Sequence, residues 1–140
     1  DEAIELLRQY NIYFSGDVEC HFLIADATGK SVLIEYYDGG LQVVESDTEY
    51  QIASNFIAYN DLNIGEGYTE FERYDTVKCV LEENNNSISM TECENLLNEI
   101  GVVDEGIDKL QWSVVYNISQ KSGKIWPHRD SDKAWIFDLK

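Results

Sequence analysis

The spacing of hydrophobic positions changes along the chain, from a helical period at the start to an alternating period soon afterwards. Apolar residues recur at helical spacing within residues 2–10 and predict a short amphipathic helix. Three β-rich segments follow, separated by glycine-containing turns, and predict an antiparallel meander with a shorter fourth segment behind it. The expected strands occupy residues 18–25, 31–37, 41–45 and 50–53. Within the second of these, Glu35 gives one face of the strand a more polar character than the other.

A helical period returns in the middle of the chain, after an irregular stretch. Residues 54–69 are rich in Asn and Gly and have no clean period, which is typical of a loop that carries binding groups. A helix is predicted from Glu70 to the asparagines at 84–86. Thr91 and Glu94 then have the spacing of a capping box. They predict the start of a second helix, which Gly101 is expected to close.

The last third of the chain is again rich in strand-forming residues. Strands are predicted at 110–118, 125–128 and 134–139, with Gly123 in a turn between the first two. Helices and strands are therefore segregated along the sequence instead of alternating. This order predicts an α+β fold in which helices pack on an antiparallel sheet. We interpret residues 1–140 as a single segment of one domain.

The charge of the chain excludes some partners. It carries 27 acidic and 10 basic residues, a formal net charge of −17 at pH 7. Such a charge repels phosphate backbones and anionic lipid surfaces, so we expect neither nucleic acid nor membrane as a partner. No apolar run reaches the roughly 20 residues that span a bilayer. Cys20, Cys79 and Cys93 are odd in number and form no CxxC pair, which favours reduced thiols and a cytoplasmic location.

Two residues near the irregular stretch have chemistry that an active site could use. Asn55 opens the stretch, where its amide can donate to an oxyanion or can simply cap a turn. Arg73 lies near the start of a predicted helix, where the helix dipole disfavours a cation. An ion pair with Glu70 or Asp75 would account for Arg73 as well as a functional role would. On local pattern alone, the structural interpretation is favoured for both residues.

The chain lacks the GxSxG, phosphate-loop and HExxH signatures, and no metal or cofactor site is predicted. His21 adjoins Cys20, but neighbouring strand residues point to opposite faces, which disfavours a dyad between them. A dyad of Cys20 with His128 stays open, although strand-borne cysteines are usually packing residues.

Several segments, in order, resemble the choloylglycine hydrolases, a family of linear-amide hydrolases. Residues 20–35, CHFLIADATGKSVLIE, resemble the family's H-F-x-I-x-D-x-x-G-x-S-x-x-I-E hairpin. Ser54-Asn55 is similar to the T-N motif that follows that hairpin, and residues 67–76 resemble its G-x-x-x-x-x-R helix start. Residues 110–117 and 126–129 resemble the family's C-terminal hairpins. The matches run nearly from end to end.

The resemblance implies an N-terminal-nucleophile fold, in which two antiparallel sheets lie between layers of helices. It implies a nucleophilic Cys at the mature N-terminus, whose thiolate attacks an acyl-amide and forms a thioester acyl-enzyme. By resemblance, Asn55 takes the place of the Asn that helps to bind the oxyanion. Arg73 takes the place of the Arg beside the nucleophile, where its charge favours the thiolate. Asn55 and Arg73 are therefore the catalytic residues that the resemblance implies.

The chain departs from the family pattern at two positions. Ser54 replaces the commoner Thr, and residue 1 is Asp and not Cys. The family's N-terminal Cys, with its nearby Asp and Arg, is therefore expected upstream in a longer protein. The chain alone is expected to be inactive and to self-associate through uncovered sheet edges and apolar surface. The alternatives are a non-catalytic α+β binding or structural module, and a cysteine enzyme complete within this chain. The sequence does not determine the amide substrate, nor whether water or an amine accepts the acyl group.

Overall fold

The computed structural model describes residues 2–10, 12–14, 20–61, 64–65, 68–102 and 110–140. Within these ranges, helices and antiparallel strands are combined, which confirms the predicted α+β class. The helices are α1 (Glu2–Leu7), α2 (Tyr68–Glu83) and α3 (Met90–Ile100). The strands are β1 (Phe22–Ala25), β2 (Ser31–Tyr37), β3 (Gly40–Val44), β4 (Phe56–Ile57), β5 (Ile64–Gly65), β6 (Trp112–Asn117), β7 (Ser122–Pro127) and β8 (Trp135–Asp138). The first residues of the predicted strand 18–25 lie outside the described residues.

The first sheet has the order β1-β2-β3 and is the predicted meander. Its β1–β2 turn is set by Asp26, whose carboxylate accepts hydrogen bonds from the Thr28 backbone N–H at 2.8 Å and from the Thr28 hydroxyl at 2.5 Å. These bonds, the hydroxyl bond above all, lower the pKa of Asp26. Gly29, at φ +89°, completes the turn in a conformation that favours glycine.

The central strand of this sheet buries a charge. Leu33, Ile34 and Glu35 are 1%, 0% and 0% exposed, so the face that holds Glu35 is covered as fully as the apolar one. The prediction of a strand at 50–53 is wrong, because these residues form no strand in the structure. There, the side chain of Gln51 donates to the Val44 carbonyl at 3.1 Å, so a side chain occupies the acceptor that a neighbouring backbone strand would use.

The two longer helices occur near their predicted places, and Gly101 closes α3 as predicted, but α3 begins at a different capping box. Its capping box is formed by Ser89 and Glu92 rather than by Thr91 and Glu94. Ser89 Oγ accepts from the Glu92 N–H at 3.2 Å, and the Glu92 carboxylate accepts from the Ser89 N–H at 2.7 Å. Gly101 ends the helix in an extended conformation at φ −63°, not in the expected left-handed one. A Cβ at Gly101 would lie 2.7 Å from a Leu110 methyl carbon and 3.2 Å from the Leu97 carbonyl oxygen, so the space beside Gly101 is closely packed.

The second three-stranded sheet has the order β6-β7-β8 and packs one face on α3. The buried Trp126 donates from its indole N–H to Asn98 Oδ1 at 2.9 Å, and Lys124 pairs with Glu94 at 2.7 Å. The predicted turn at Gly123 lies earlier, at 118–121, where Lys121 has φ +51°. Gly123 is instead inside β7, where a Cβ would collide with the Phe137 ring, with one ring carbon at 2.8 Å.

The opposite face of this second sheet is apolar and open. Strand register places Trp112, Tyr116 and Trp135 on that face, away from the buried Trp126. They are 63%, 54% and 64% exposed. Separately, among the residues that the structure describes, no helix combines the length and the apolar character that crossing a bilayer needs.

Candidate functional site

The candidate site lies where the segment after the first sheet meets α2. Phe56 is only 6% exposed and anchors this segment. Its ring stacks on Phe71, with the ring centres 4.7 Å apart, and meets Tyr74 edge to face at 5.2 Å. Phe71 and Tyr74 are three residues apart on α2, so they share a helix face. This aromatic contact places Asn55 beside the turn of α2 that carries Arg73.

The structure brings together the two residues that the sequence resemblance singled out. Arg73 Nη2 donates to Asn55 Oδ1 at 3.5 Å, across 18 residues of sequence. A guanidinium only donates, so the bond assigns the amide oxygen of Asn55 to the Arg73 side. The amide nitrogen, which carries the donor hydrogens, is then left for other acceptors. Within the described side chains, Arg73 forms no ion pair with Asp75, and the side chain of Glu70 lies outside them.

Arg73 also borders a small cavity of about 100 Å³. Its walls combine the 52–55 segment, α2 and the end of α3, through Ile52, Ala53, Ser54, Asn55, Arg73, Tyr74, Val77 and Ile100. The Nε of Arg73 is buried and has no hydrogen-bond partner among the described residues. A buried donor without an acceptor lowers stability by about 1–3 kcal/mol, so an acceptor placed beside the Arg73 Nε would stabilise the protein.

The segment that carries Asn55 is held by hydrogen bonds on both sides of Asn55. Upstream, the Tyr50 hydroxyl donates to the Glu82 carboxylate on α2 at 3.3 Å. Burial, and then the negative charge of Glu82, raise the pKa of Tyr50, so the hydroxyl keeps its donor hydrogen. Downstream, the Glu35 carboxylate accepts from the backbone N–H groups of Ala58 and Tyr59.

Glu35 is a residue of this region that was not predicted as one. In the sequence it is part of a hairpin motif and the polar member of an alternating strand. The available signal was its place in the middle of an otherwise apolar strand, where a carboxylate needs buried partners. Those partners are backbone groups 23 and 24 residues away, and no side-chain pattern reveals them.

Two of the three cysteines lie in environments that oppose a thiolate. The Cys79 thiol donates to the Glu83 carboxylate at 3.6 Å. The negative charge of Glu83 raises the pKa of Cys79. Burial, and then the charge of Glu94, raise the pKa of Cys93. Cys20 is exposed and lies just before β1.

The two histidines are engaged in different sheets. His21 Nδ1 lies 3.6 Å from Glu35 Oε1 beside the first sheet, so this nitrogen faces a carboxylate. His128 follows β7 in the second sheet, and its Nδ1 lies 2.7 Å from the Leu110 carbonyl oxygen. A carbonyl only accepts, so His128 carries its hydrogen on Nδ1. Among the described residues, no group of three His, Cys, Asp or Glu side chains has a metal-binding arrangement.

The fold and the site together define an α+β protein with an Asn–Arg pair between its first sheet and its second helix. No protein-family model matches the chain, and searches of curated proteins and of solved structures found no match either.

Proposed function

We propose that the chain is the C-terminal part of a cysteine N-terminal-nucleophile hydrolase that acts on linear amides, as its sequence resemblance implies. In this proposal, an upstream segment supplies the N-terminal Cys, whose thiolate attacks the amide carbonyl. The attack forms a thioester acyl-enzyme and releases the amine, and water or a second amine then resolves the thioester. Asn55 and Arg73 assist this chemistry, and the chain alone does not turn over substrate.

The observation that carries the proposal is the contact between Arg73 and Asn55 at 3.5 Å. The contact turns the amide oxygen toward the guanidinium and leaves the amide N–H groups for an oxyanion. A donor whose orientation is set before the reaction stabilises developing negative charge without reorganisation at the moment of attack. Asn55 is also exposed, so a substrate carbonyl can reach it.

The charge of Arg73 and the surroundings of its Nε agree with a role beside a thiolate. The guanidinium stays charged in proteins, and a nearby cation lowers the pKa of a thiol. The buried Nε of Arg73 lacks an acceptor among the described residues, which is expected if a group outside this chain completes its surroundings.

Cys79 and Cys93 are unfavourable as nucleophiles, which agrees with a nucleophile supplied by another segment. The pKa of Cys79 and that of Cys93 are raised, so neither side chain favours the thiolate that acyl transfer requires. The open apolar face with Trp112, Tyr116 and Trp135 supports the same proposal at the level of the fold. Helix α3 packs on the other face of that sheet, so a second sheet against the open face would give the helix–sheet–sheet order of the proposed architecture.

The test is release of free amine from acyl-amide substrates by the complete protein that contains this chain. Substituting Asn55→Ala should lower kcat about 100- to 1,000-fold if the amide binds the oxyanion. Arg73→Ala should lower the rate most at pH values below the pKa of the nucleophilic thiol, because the thiolate fraction falls there. Asn95→Ala, an exposed residue on α3, is the matched control and should leave kcat unchanged.

Full activity of the Asn55→Ala and Arg73→Ala variants would remove their assigned roles. Iodoacetamide-sensitive activity from residues 1–140 alone would overturn the proposal and establish a cysteine enzyme complete within this chain.

A non-catalytic binding module is the second candidate, and one observation favours it. A hollow of about 710 Å³ lies between α1 and the β2–β3 turn, with Tyr10, Tyr36 and Tyr37 among its lining residues. It is larger than the cavity at Arg73 and is of a size that suits a small ligand. The upstream coding sequence discriminates the two functions. If it encodes no Cys that processing can expose as an N-terminus, only the binding module remains.

A further inference from the structure

Glu35 is the most deeply buried charged residue of the described chain. It lies on the central strand of the first sheet and is 0% exposed. One carboxylate oxygen accepts from the Ala58 N–H at 3.0 Å. The other accepts from the Ala58 N–H at 3.1 Å and from the Tyr59 N–H at 2.8 Å. A buried carboxylate is tolerated only with such partners, because it loses its hydration on folding.

The hydrogen bonds of Glu35 therefore hold a specific segment of backbone. If residues 58 and 59 moved away, the structure would contain a buried carboxylate without its donors, which is strongly unfavourable. His21 cannot replace both donors, since its Nδ1 is 3.6 Å from the carboxylate. Strand β2 thus fixes the position of residues 58–59 relative to the first sheet.

Asn55 lies three residues before Ala58, on the same segment of backbone that Glu35 holds. Between them, Phe56 packs on Phe71 and Tyr74 of α2. The segment is consequently held from two sides, by the first sheet through Glu35 and by α2 through Phe56. The Arg73–Asn55 distance of 3.5 Å is at the upper limit for a hydrogen bond, so a small displacement of the segment breaks the contact.

We propose that Glu35 is a positioning residue that holds Asn55 against Arg73 through the backbone amides of Ala58 and Tyr59. It does not touch the substrate. The proposal rests on the proposed function, in which Asn55 donates to the oxyanion. Misplacement of a catalytic donor by about 1 Å can lower a rate about 100-fold, which makes such a clamp kinetically important.

The test compares Glu35→Gln with Glu45→Gln in the complete protein. Both variants remove one negative charge, but Glu45 is exposed. Glu35→Gln removes the negative charge that strengthens these hydrogen bonds and leaves the Ala58 and Tyr59 N–H groups one accepting oxygen in place of two, so the hold on this backbone is weakened. We expect kcat to fall about 10- to 100-fold with KM changed less than about twofold, because the defect concerns the transition state. Glu45→Gln should match the unaltered protein.

A double-mutant cycle with Asn55→Ala separates positioning from a general loss of folded protein. If Glu35 acts through Asn55, Glu35→Gln has little further effect on kcat once Asn55 is alanine. An equal fold-loss of kcat in both backgrounds would overturn the proposal, as would an unchanged kcat in a folded Glu35→Gln protein. If Glu35→Gln does not fold, Glu35→Asp takes its place, because it keeps the charge but withdraws the oxygens from the two amides.

A measurement without turnover separates this proposal from the proposed function. If the complete protein releases no amine, the side-chain amide resonances of Asn55 still report its contact with Arg73. These resonances should shift in Glu35→Gln and not in Glu45→Gln. Unchanged Asn55 resonances in Glu35→Gln would overturn the positioning role, whatever the reaction is.

Discussion

Cys79 shows at the scale of one residue how the acidic surface controls chemistry. Its thiol donates to Glu83, and the charge of Glu83 raises its pKa. We expect Glu83→Gln to lower this pKa and so to increase the thiolate fraction at pH 8. Alkylation of Cys79 by iodoacetamide should then become about two- to threefold faster, because the thiolate is the reactive form. Peptide mass spectrometry measures the rate for Cys79 separately from Cys20 and Cys93.

The matched control for this prediction is Glu72→Gln, which removes an exposed charge from the same helix. It should leave the alkylation rate of Cys79 nearly unchanged, because exposed charges at longer range are screened. The alkylation rates of Glu83→Gln and the unaltered protein should also become equal at a pH above the pKa that Cys79 has in either protein. A rate that is unaffected by Glu83→Gln at pH 8 would contradict the assigned cause.

The residues of the candidate site differ in how far the sequence could predict them. Local rules favoured a turn cap for Asn55 and an ion pair for Arg73, and only the family resemblance joined the two. The structure places them in contact, while the resemblance and their catalytic roles stay predictions. Glu35 could not be predicted, because its partners are backbone amides brought near by the tertiary fold.

At the scale of the element, α3 has two candidate capping boxes of the same spacing near its start, and only one of them is formed. Ser89 and Glu92 form it in the structure, whereas Thr91 and Glu94 have the same spacing. We expect Ser89→Ala to lower the free energy of unfolding by about 1 kcal/mol, the usual contribution of an N-cap. Thr91→Ala removes a hydroxyl inside the helix and should change it by less than about 0.5 kcal/mol. Urea unfolding measures both.

The capping box also predicts a pH dependence. The hydrogen bonds with Ser89 lower the pKa of Glu92, so the folded state favours its ionised form. The stabilisation from this carboxylate is therefore fully present above its ordinary pKa and is lost as the pH falls through its lowered value. The difference between Ser89→Ala and the unaltered protein should shrink in acid. A larger cost for Thr91→Ala than for Ser89→Ala would contradict the assigned helix start.

Element types were more predictable than the glycines that end or interrupt them. Periodicity correctly indicated the meander, the two longer helices and the C-terminal strands. It placed Gly101 correctly at the end of α3 but not its conformation, and it misplaced Gly123, because a glycine in sequence does not reveal whether it serves a turn or a close approach. In both places a neighbouring side chain, Leu110 or Phe137, occupies the space of a Cβ.

At the scale of the whole molecule, segregation of helices and strands was sufficient to predict the α+β class. It was not sufficient to predict that the strands of the described residues divide into two three-stranded sheets and a two-stranded one. That division depends on long-range packing, such as the burial of Trp126 against Asn98 of α3. The open apolar face of the second sheet is likewise a property of the assembled strands and not of any one of them.

The net charge of −17 predicts a property of the whole molecule. Most acidic residues have no basic partner, since only 10 Lys and Arg accompany 27 Asp and Glu, and compaction brings like charges together. Salt shortens the range of this repulsion, from about 10 Å at 0.1 M to about 3 Å at 1 M. We therefore expect the Tm of the chain to rise when sodium chloride is increased through this range, as thermal unfolding followed by circular dichroism would show.

A variant with Glu45→Gln, Asp47→Asn and Glu49→Gln tests the cause, because these exposed acidic residues lie close together after β3. It should have a higher Tm at low salt and a weaker dependence of Tm on salt. The matched control exchanges the same residues for the other acidic type, Glu45→Asp, Asp47→Glu and Glu49→Asp, and should keep the full salt dependence. Equal salt dependence in the two variants would show that salt acts through something other than the net charge, such as a stronger drive to bury the open apolar face.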